Sequence, residues 1–92
     1  MIVRIMGQGQ YRLDNSLVDR INAIDNNIVY HVARGDQIEF RKDLIRLISA
    51  VKEKGKPVDD AEIVESAIIV PPEDLTFEEA QKIFSGHGLI KD

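Results

Sequence analysis

Few side chains in this sequence could do chemistry, and most of them lack the neighbours that chemistry requires. A catalytic centre needs a nucleophile or an acid–base pair together with a group that orients it. The two histidines, His31 and His87, are far apart in the chain. They do not form the i, i+4 pair that presents two imidazoles to zinc on one helix face. His31 falls near the end of a helical stretch, where the negative end of the helix dipole favours a cation, so it is expected to be structural. His87 stands between Gly86 and Gly88, a helix-stop pattern that would also let a small ligand approach closely. Asp59, Asp60, Glu62 and Glu65 hold enough oxygen donors for a divalent cation. They lack the glycine and terminal glutamate of a calcium loop, and a solvated acidic turn is expected.

Other motifs dissolve in the same way. Gly7-Gln8-Gly9 resembles the start of a phosphate loop, but Arg12 stands where the third glycine belongs, and a hairpin turn is expected instead. Ser16, Ser49, Ser66 and Ser85 lie outside any G-x-S-x-G elbow. Arg34-Gly35-Asp36 spells an adhesion tripeptide, yet the glycine serves to end one helix and the aspartate to cap the next. The chain has no cysteine, which excludes disulfides, thiolate metal sites and cysteine nucleophiles. The residues therefore predict a non-enzymatic protein with no metal and no cofactor. A hydrolase would have to be built from the acidic cluster and His87 alone.

The elements that must position these residues follow from periodicity. Ile2–Met6 is β-branched and apolar, and Gln10–Leu13 alternates polar with apolar at period two. With Gly7 and Gly9 between them, the two segments predict an N-terminal β-hairpin. Asp14, Asn15 and Ser16 offer helix N-caps. Leu17, Ile21, Ile24, Ile28 and Val32 then form one apolar stripe, with Asp19, Arg20, Asp25 and Asn26 expected off it. After Gly35, Asp36 and Glu39 suggest a capping box, and Phe40, Leu44, Leu47 and Val51 make a second stripe, widened by Ile45 and Ile48. Gly55 and Pro57 end that helix, giving an αα-hairpin. The run 66–70 predicts a strand buried on one face or on both, which Pro71-Pro72 terminates. Thr76 and Glu79 suggest another capping box, opening a short helix with Phe77, Ala80, Ile83 and Phe84 on its stripe. The order β-β-α-α-β-α predicts a small single-domain α+β fold over residues 1–92. The hairpin and the third strand would share one sheet, packed on the αα-hairpin and the short C-terminal helix.

Composition and charge bound the function. The chain has 92 residues, 43% of them hydrophobic and 30% charged, which suits one globular domain with a thin core. No apolar run approaches the roughly 18–20 residues of a membrane span, and the start lacks a signal-peptide pattern, so a cytoplasmic protein is expected. The net charge of −4 argues against nucleic acid as a partner. That charge is uneven. Residues 1–33 are neutral, 34–56 carry seven basic and four acidic side chains, and 57–92 carry two basic and nine acidic ones. The acidic C-terminal third could steer a basic partner. In the basic second helix, Asp36, Glu39, Asp43 and Glu53 dilute the cations below a polybasic lipid anchor.

The opening run Met1-Ile2-Val3-Arg4-Ile5-Met6-Gly7-Gln8-Gly9-Gln10-Tyr11-Arg12-Leu13-Asp14 resembles the start of the PspA-associated proteins (PspAA). These are small companions of the phage-shock protein A family. The stretch Ile68-Ile69-Val70-Pro71-Pro72-Glu73-Asp74-Leu75-Thr76-Phe77-Glu78-Glu79 and the closing Gly88-Leu89-Ile90 are similar to the C-terminal half of that family. Its helical middle matches in length, including the Gly55-Lys56-Pro57 stop. The resemblance implies a non-enzymatic adaptor or regulator in the cell-envelope stress response, partnering a coiled-coil, membrane-binding PspA-type protein. Membrane contact would come only through that partner, which would recruit the protein to the inner face of the membrane. The resemblance brings no catalytic motif and no binding residues, so the interface candidates come from the residues themselves. One is the hairpin Gly7, Gln8, Gly9, Gln10 and Tyr11, where an aromatic with a polar tip sits among amides. The other is the acidic corner Pro71, Pro72, Glu73 and Asp74. An alternative from another class is a homo-oligomeric sensor binding a small ligand near Gly7–Gly9 and His87, dimerising through Gln10–Leu13 as an edge strand.

Overall fold

The computed structural model describes residues 1–59, 61–62, 64–84 and 88–89. Strands β1 (Ile2–Ile5) and β2 (Gly9–Arg12) form the expected antiparallel hairpin, with Val3 opposite Tyr11 and Ile5 opposite Gly9. The turn between them needs glycine. Gly7 and Gly9 take φ of 82° and 94°, a region that costs a residue bearing a Cβ about 1–2 kcal/mol. A 3-10 turn (Asn15–Leu17) capped by Asp14 leads into helix α1 (Val18–Ala33). Asp14 accepts from the Ser16 amide, and this bond, reinforced by the Ser16 hydroxyl, holds its carboxyl below the ordinary aspartate value. Helix α2 (Gln37–Lys54) starts at Asp36, which accepts from the Glu39 amide at 3.1 Å. Asp36 supplies its half of the expected capping box, and the Glu39 carboxylate lies 3.5 Å from Lys42 Nζ.

The sheet has four strands in the order β3-β2-β1-β4, one more than the expected three. The addition is β3 (Lys56–Pro57), two residues that follow α2 after Gly55 and pair with Arg12 and Tyr11 of β2. Gly55 makes this possible by closeness. A Cβ there would sit 2.5 Å from the Val51 carbonyl oxygen and 2.9 Å from the Tyr11 Cβ. β2 is therefore not the edge strand that dimerisation through Gln10–Leu13 presupposes. Its outer ladder is occupied by β3 and by the Val58 amide, which donates to the Gln10 carbonyl at 2.9 Å. β4 (Ile68–Val70) lies parallel to β1 on the other side. It is buried on one face only, with Ile68 and Val70 inward and Ile69 outward.

Helices α1 and α2 cover the inner face, where Val3, Ile5, Ile28, Phe40, Leu44, Leu47 and Val51 form the centre of the core. Two acidic residues expected on polar faces are inside instead: Asp25 of α1 and Asp43 of α2 are 1% and 2% exposed. Asp43 lies on the α2 side facing α1, where His31 meets it. The space a Cβ on Gly88 would need is filled by the Asp25 carboxylate. Conversely, Ile45 does not widen the α2 stripe but faces outward. Helix α3 (Phe77–Ile83) begins with the complete Thr76–Glu79 capping box and buries Ala80, with Phe84 beyond it. Ile83 leaves its expected stripe and is exposed.

Candidate functional site

Parallel pairing of β4 with β1 decides where the surface candidates lie. In a parallel pair both chains leave the sheet at the same end. β1 exits into Met6 and the Gly7–Gly9 turn, and β4 exits into Pro71-Pro72. The Met6 amide donates to the Val70 carbonyl at 3.0 Å, which locks the two exits together. The hairpin and the acidic corner, separate in the sequence, thus meet at one end of the sheet.

Helix α2 ties both to its own surface. Lys52 donates to the Gln8 side-chain oxygen at 2.8 Å. Arg41 donates to the Glu73 carbonyl and, at 2.5 Å, to the Leu75 carbonyl. Eleven residues separate these two cations, about three helical turns, so both project from the same side of α2 roughly 16 Å apart. The Arg41 guanidinium also lies 5.2 Å from the centre of the Phe40 ring, which packs edge-on against Phe77 at 5.7 Å. The corner is rigid for several reasons at once. Pro71 and Pro72 fix their own φ, Leu75 donates to the Pro72 carbonyl at 3.0 Å, and Thr76 Oγ1 donates to Glu79 at 2.9 Å.

Between the two exits and α3 lies a cleft of about 320 Å³, lined by Met6, Pro71, Pro72, Asp74, Leu75, Glu79 and Ile83. Met6 and Ile83 expose 51% and 40% of their surface there. Asp74 and Glu79 line its rim, and Glu73 and Glu78 are exposed beside them.

The hairpin residues divide. Gly7 and Gln8 are exposed at the turn, whereas Tyr11 is half-buried on the core face opposite Val3. Gln10 points to the outer face, where it donates to Ser66 Oγ at 2.7 Å and to the Val64 carbonyl at 3.3 Å. Arg12 reaches Glu62 at 3.1 Å. Gln10 and Arg12 thereby fasten the connection from β3 to β4, which has to pass β2 and β1 to reach the far edge.

The residues with chemical potential sit elsewhere. His31 donates from Nδ1 to Asp43 Oδ2 at 2.5 Å, and Arg46 donates to Asp43 Oδ1 at 3.3 Å. Tyr30 stands edge-on to the His31 ring at 5.2 Å, under the Arg34 guanidinium. This network ties α1 to α2 and is more than the helix-end role expected of His31. His87, Asp60 and Ser85 lie outside the described residues. Among the described residues, no group of three or more acidic or histidine side chains is placed to hold a metal ion.

Sequence reasoning missed Met6, Arg41, Leu75, Glu79 and Ile83 as parts of one surface. The only local signal was Ile83, since a stripe of Phe77, Ala80, Ile83 and Phe84 is wider than a seven-residue helix needs to bury.

Comparison with known proteins gives one result. The profile of the PspA-associated protein family matches residues 1–92, the whole chain. No curated protein and no solved structure matches it.

Proposed function

Because the chain belongs to the PspA-associated protein family, we propose that it is a non-enzymatic adaptor which binds a PspA-type, membrane-remodelling coiled-coil protein in the cell-envelope stress response. The observation that carries this reading is the family match over the full length of the chain. The fold supports it through the end of the sheet, where the hairpin turn lies beside the acidic corner and Pro71, Pro72 and Asp74 line a solvent-facing cleft. Among the described residues no helix is long and apolar enough to cross a membrane, which suits recruitment to the membrane by the partner.

Co-expression with the PspA-type protein of the same organism, followed by affinity purification through a tag on either chain, tests the reading. A stable stoichiometric complex is expected. Flotation with anionic liposomes should carry this chain upward only when the PspA-type protein is present. No complex at micromolar concentration and low salt refutes the reading, and flotation of the chain alone refutes indirect membrane contact.

A further inference from the structure

The cleft at the end of the sheet has features that restrict what it can hold. Its floor and walls are apolar, from Met6, Pro71, Pro72, Leu75 and Ile83, and its rim is acidic. Segment 71–84 carries Glu73, Asp74, Glu78 and Glu79 against the single cation Lys82. The cation nearest the corner, Arg41, has its guanidinium turned to the carbonyls of Glu73 and Leu75. It fixes the backbone that carries the carboxylates.

The backbone of the cleft offers a partner little. Pro71 and Pro72 have no N–H. The Met6 amide is bonded to Val70, the Leu75 amide to Pro72, and the Glu73 and Leu75 carbonyls to Arg41. An extended peptide docks by adding ladder hydrogen bonds, and here it would leave its own N–H and C=O groups without partners. A helix brings its backbone already satisfied. It can present apolar side chains at i, i+3 and i+4 to the floor and cations at the flanking positions to the rim.

We propose that this cleft is a docking site for a basic amphipathic helix of a partner protein, with apolar anchors seated between Ile83 and Met6 and Lys or Arg side chains meeting Asp74 and Glu79. The proposal rests on the adaptor reading for the partner's identity but not for its own geometry. The site is pre-organised by the Pro-Pro corner, the Arg41 clamp and the capping box, so binding orders few groups on this side. The rim charges act on association rate and salt dependence, and the apolar floor on residence time.

The test uses the full chain and three probes: an 18-residue Leu/Lys-patterned helix, its Leu/Glu counterpart, and the purified PspA-type protein. NMR titration should shift the amides of Met6, Leu75 and Ile83 with the Leu/Lys helix, which binds at least tenfold more tightly than the Leu/Glu one. Asp74→Lys and Ile83→Asp, both at exposed positions, should each weaken binding about tenfold with unchanged thermal midpoints. The PspA-type protein should displace the peptide. If the PspA-type protein binds wild type and both variants equally, and the peptide shifts nothing at the cleft, the docking site is refuted while the adaptor reading stands. If the peptide binds as described but the PspA-type protein does not bind at all, the docking site stands and the adaptor reading fails. A homodimer in light scattering that Ile83→Asp dissociates would make the occupant a second copy and overturn the proposal. So would equal affinity for the two peptides.

Discussion

Substituting His31 by alanine tests whether the α1–α2 interface depends on the hydrogen bond between His31 and the buried Asp43 carboxylate. The Asp43 carboxylate is 2% exposed, and its Oδ2 accepts from His31 at 2.5 Å. Without the imidazole its remaining protein contact is Arg46, at 3.3 Å and with a side chain 58% exposed. Removing one partner of a buried pair costs about 3–5 kcal/mol. Arg46 persists and His31 is itself 21% exposed, so the expected loss is nearer 2 kcal/mol. In a domain of this size that lowers the thermal midpoint by about 8–16 °C. A histidine serving only the helix dipole would cost about 0.3–1 kcal/mol, so the magnitude separates the two roles. Asp43→Leu removes the charge and fills the space, and is expected to cost less than His31→Ala. The double variant should match Asp43→Leu alone, because His31 then has no carboxylate to bond. Urea denaturation of the four proteins gives the cycle directly. A His31→Ala loss below about 0.5 kcal/mol, or additive single effects, would refute the buried pair as a link between the helices.

Three further outcomes follow from other contacts. Gly55→Ala forces a Cβ to within 2.5 Å of the Val51 carbonyl oxygen; a loss of about 1–3 kcal/mol in urea denaturation is expected, and a neutral result would show that the β2–β3 closure can relax. Arg41→Ala frees the Glu73 and Leu75 carbonyls; amide exchange over residues 73–79 should accelerate about tenfold with a global loss of about 1–2 kcal/mol, and unchanged local exchange would remove Arg41 as the clamp. Asp14 has its carboxyl pKa lowered by the Ser16 amide and hydroxyl. Its contribution is therefore present above the ordinary aspartate value of 3.8 and is lost as the pH falls through the lower folded value. Thermal midpoints across that range should fall less steeply for Asp14→Asn than for wild type, and identical slopes would contradict the cap.

Helix and hairpin were legible because their causes are local. The steps of three and four from Ile21 to Val32 and from Phe40 to Val51 place one face of each helix against a core whatever that core is. The same holds for Asp36 and Thr76 at helix starts and for Gly7 and Gly9 in the turn. Asp25 and Asp43 were misplaced for a different reason. They sit at the margins of their stripes, where the width of the buried face depends on what packs there, and Gly88 and His31 are what packs there. Ile45 and Ile83 show the converse, apolar margins left exposed.

The sequence by itself determined an α+β chain with two long amphipathic helices, an acidic C-terminal third and few residues fit for catalysis. It also carried the family resemblance that the profile match bears out over residues 1–92. Only the tertiary structure decided that β3 closes over β2, that β4 runs parallel to β1, and that Met6 and Pro71 therefore leave the sheet side by side. The reason is one of range. Periodicity and capping involve residues within a few positions of one another, whereas strand order and the cleft arise from backbone pairing between Met6 and Val70, which no local pattern specifies.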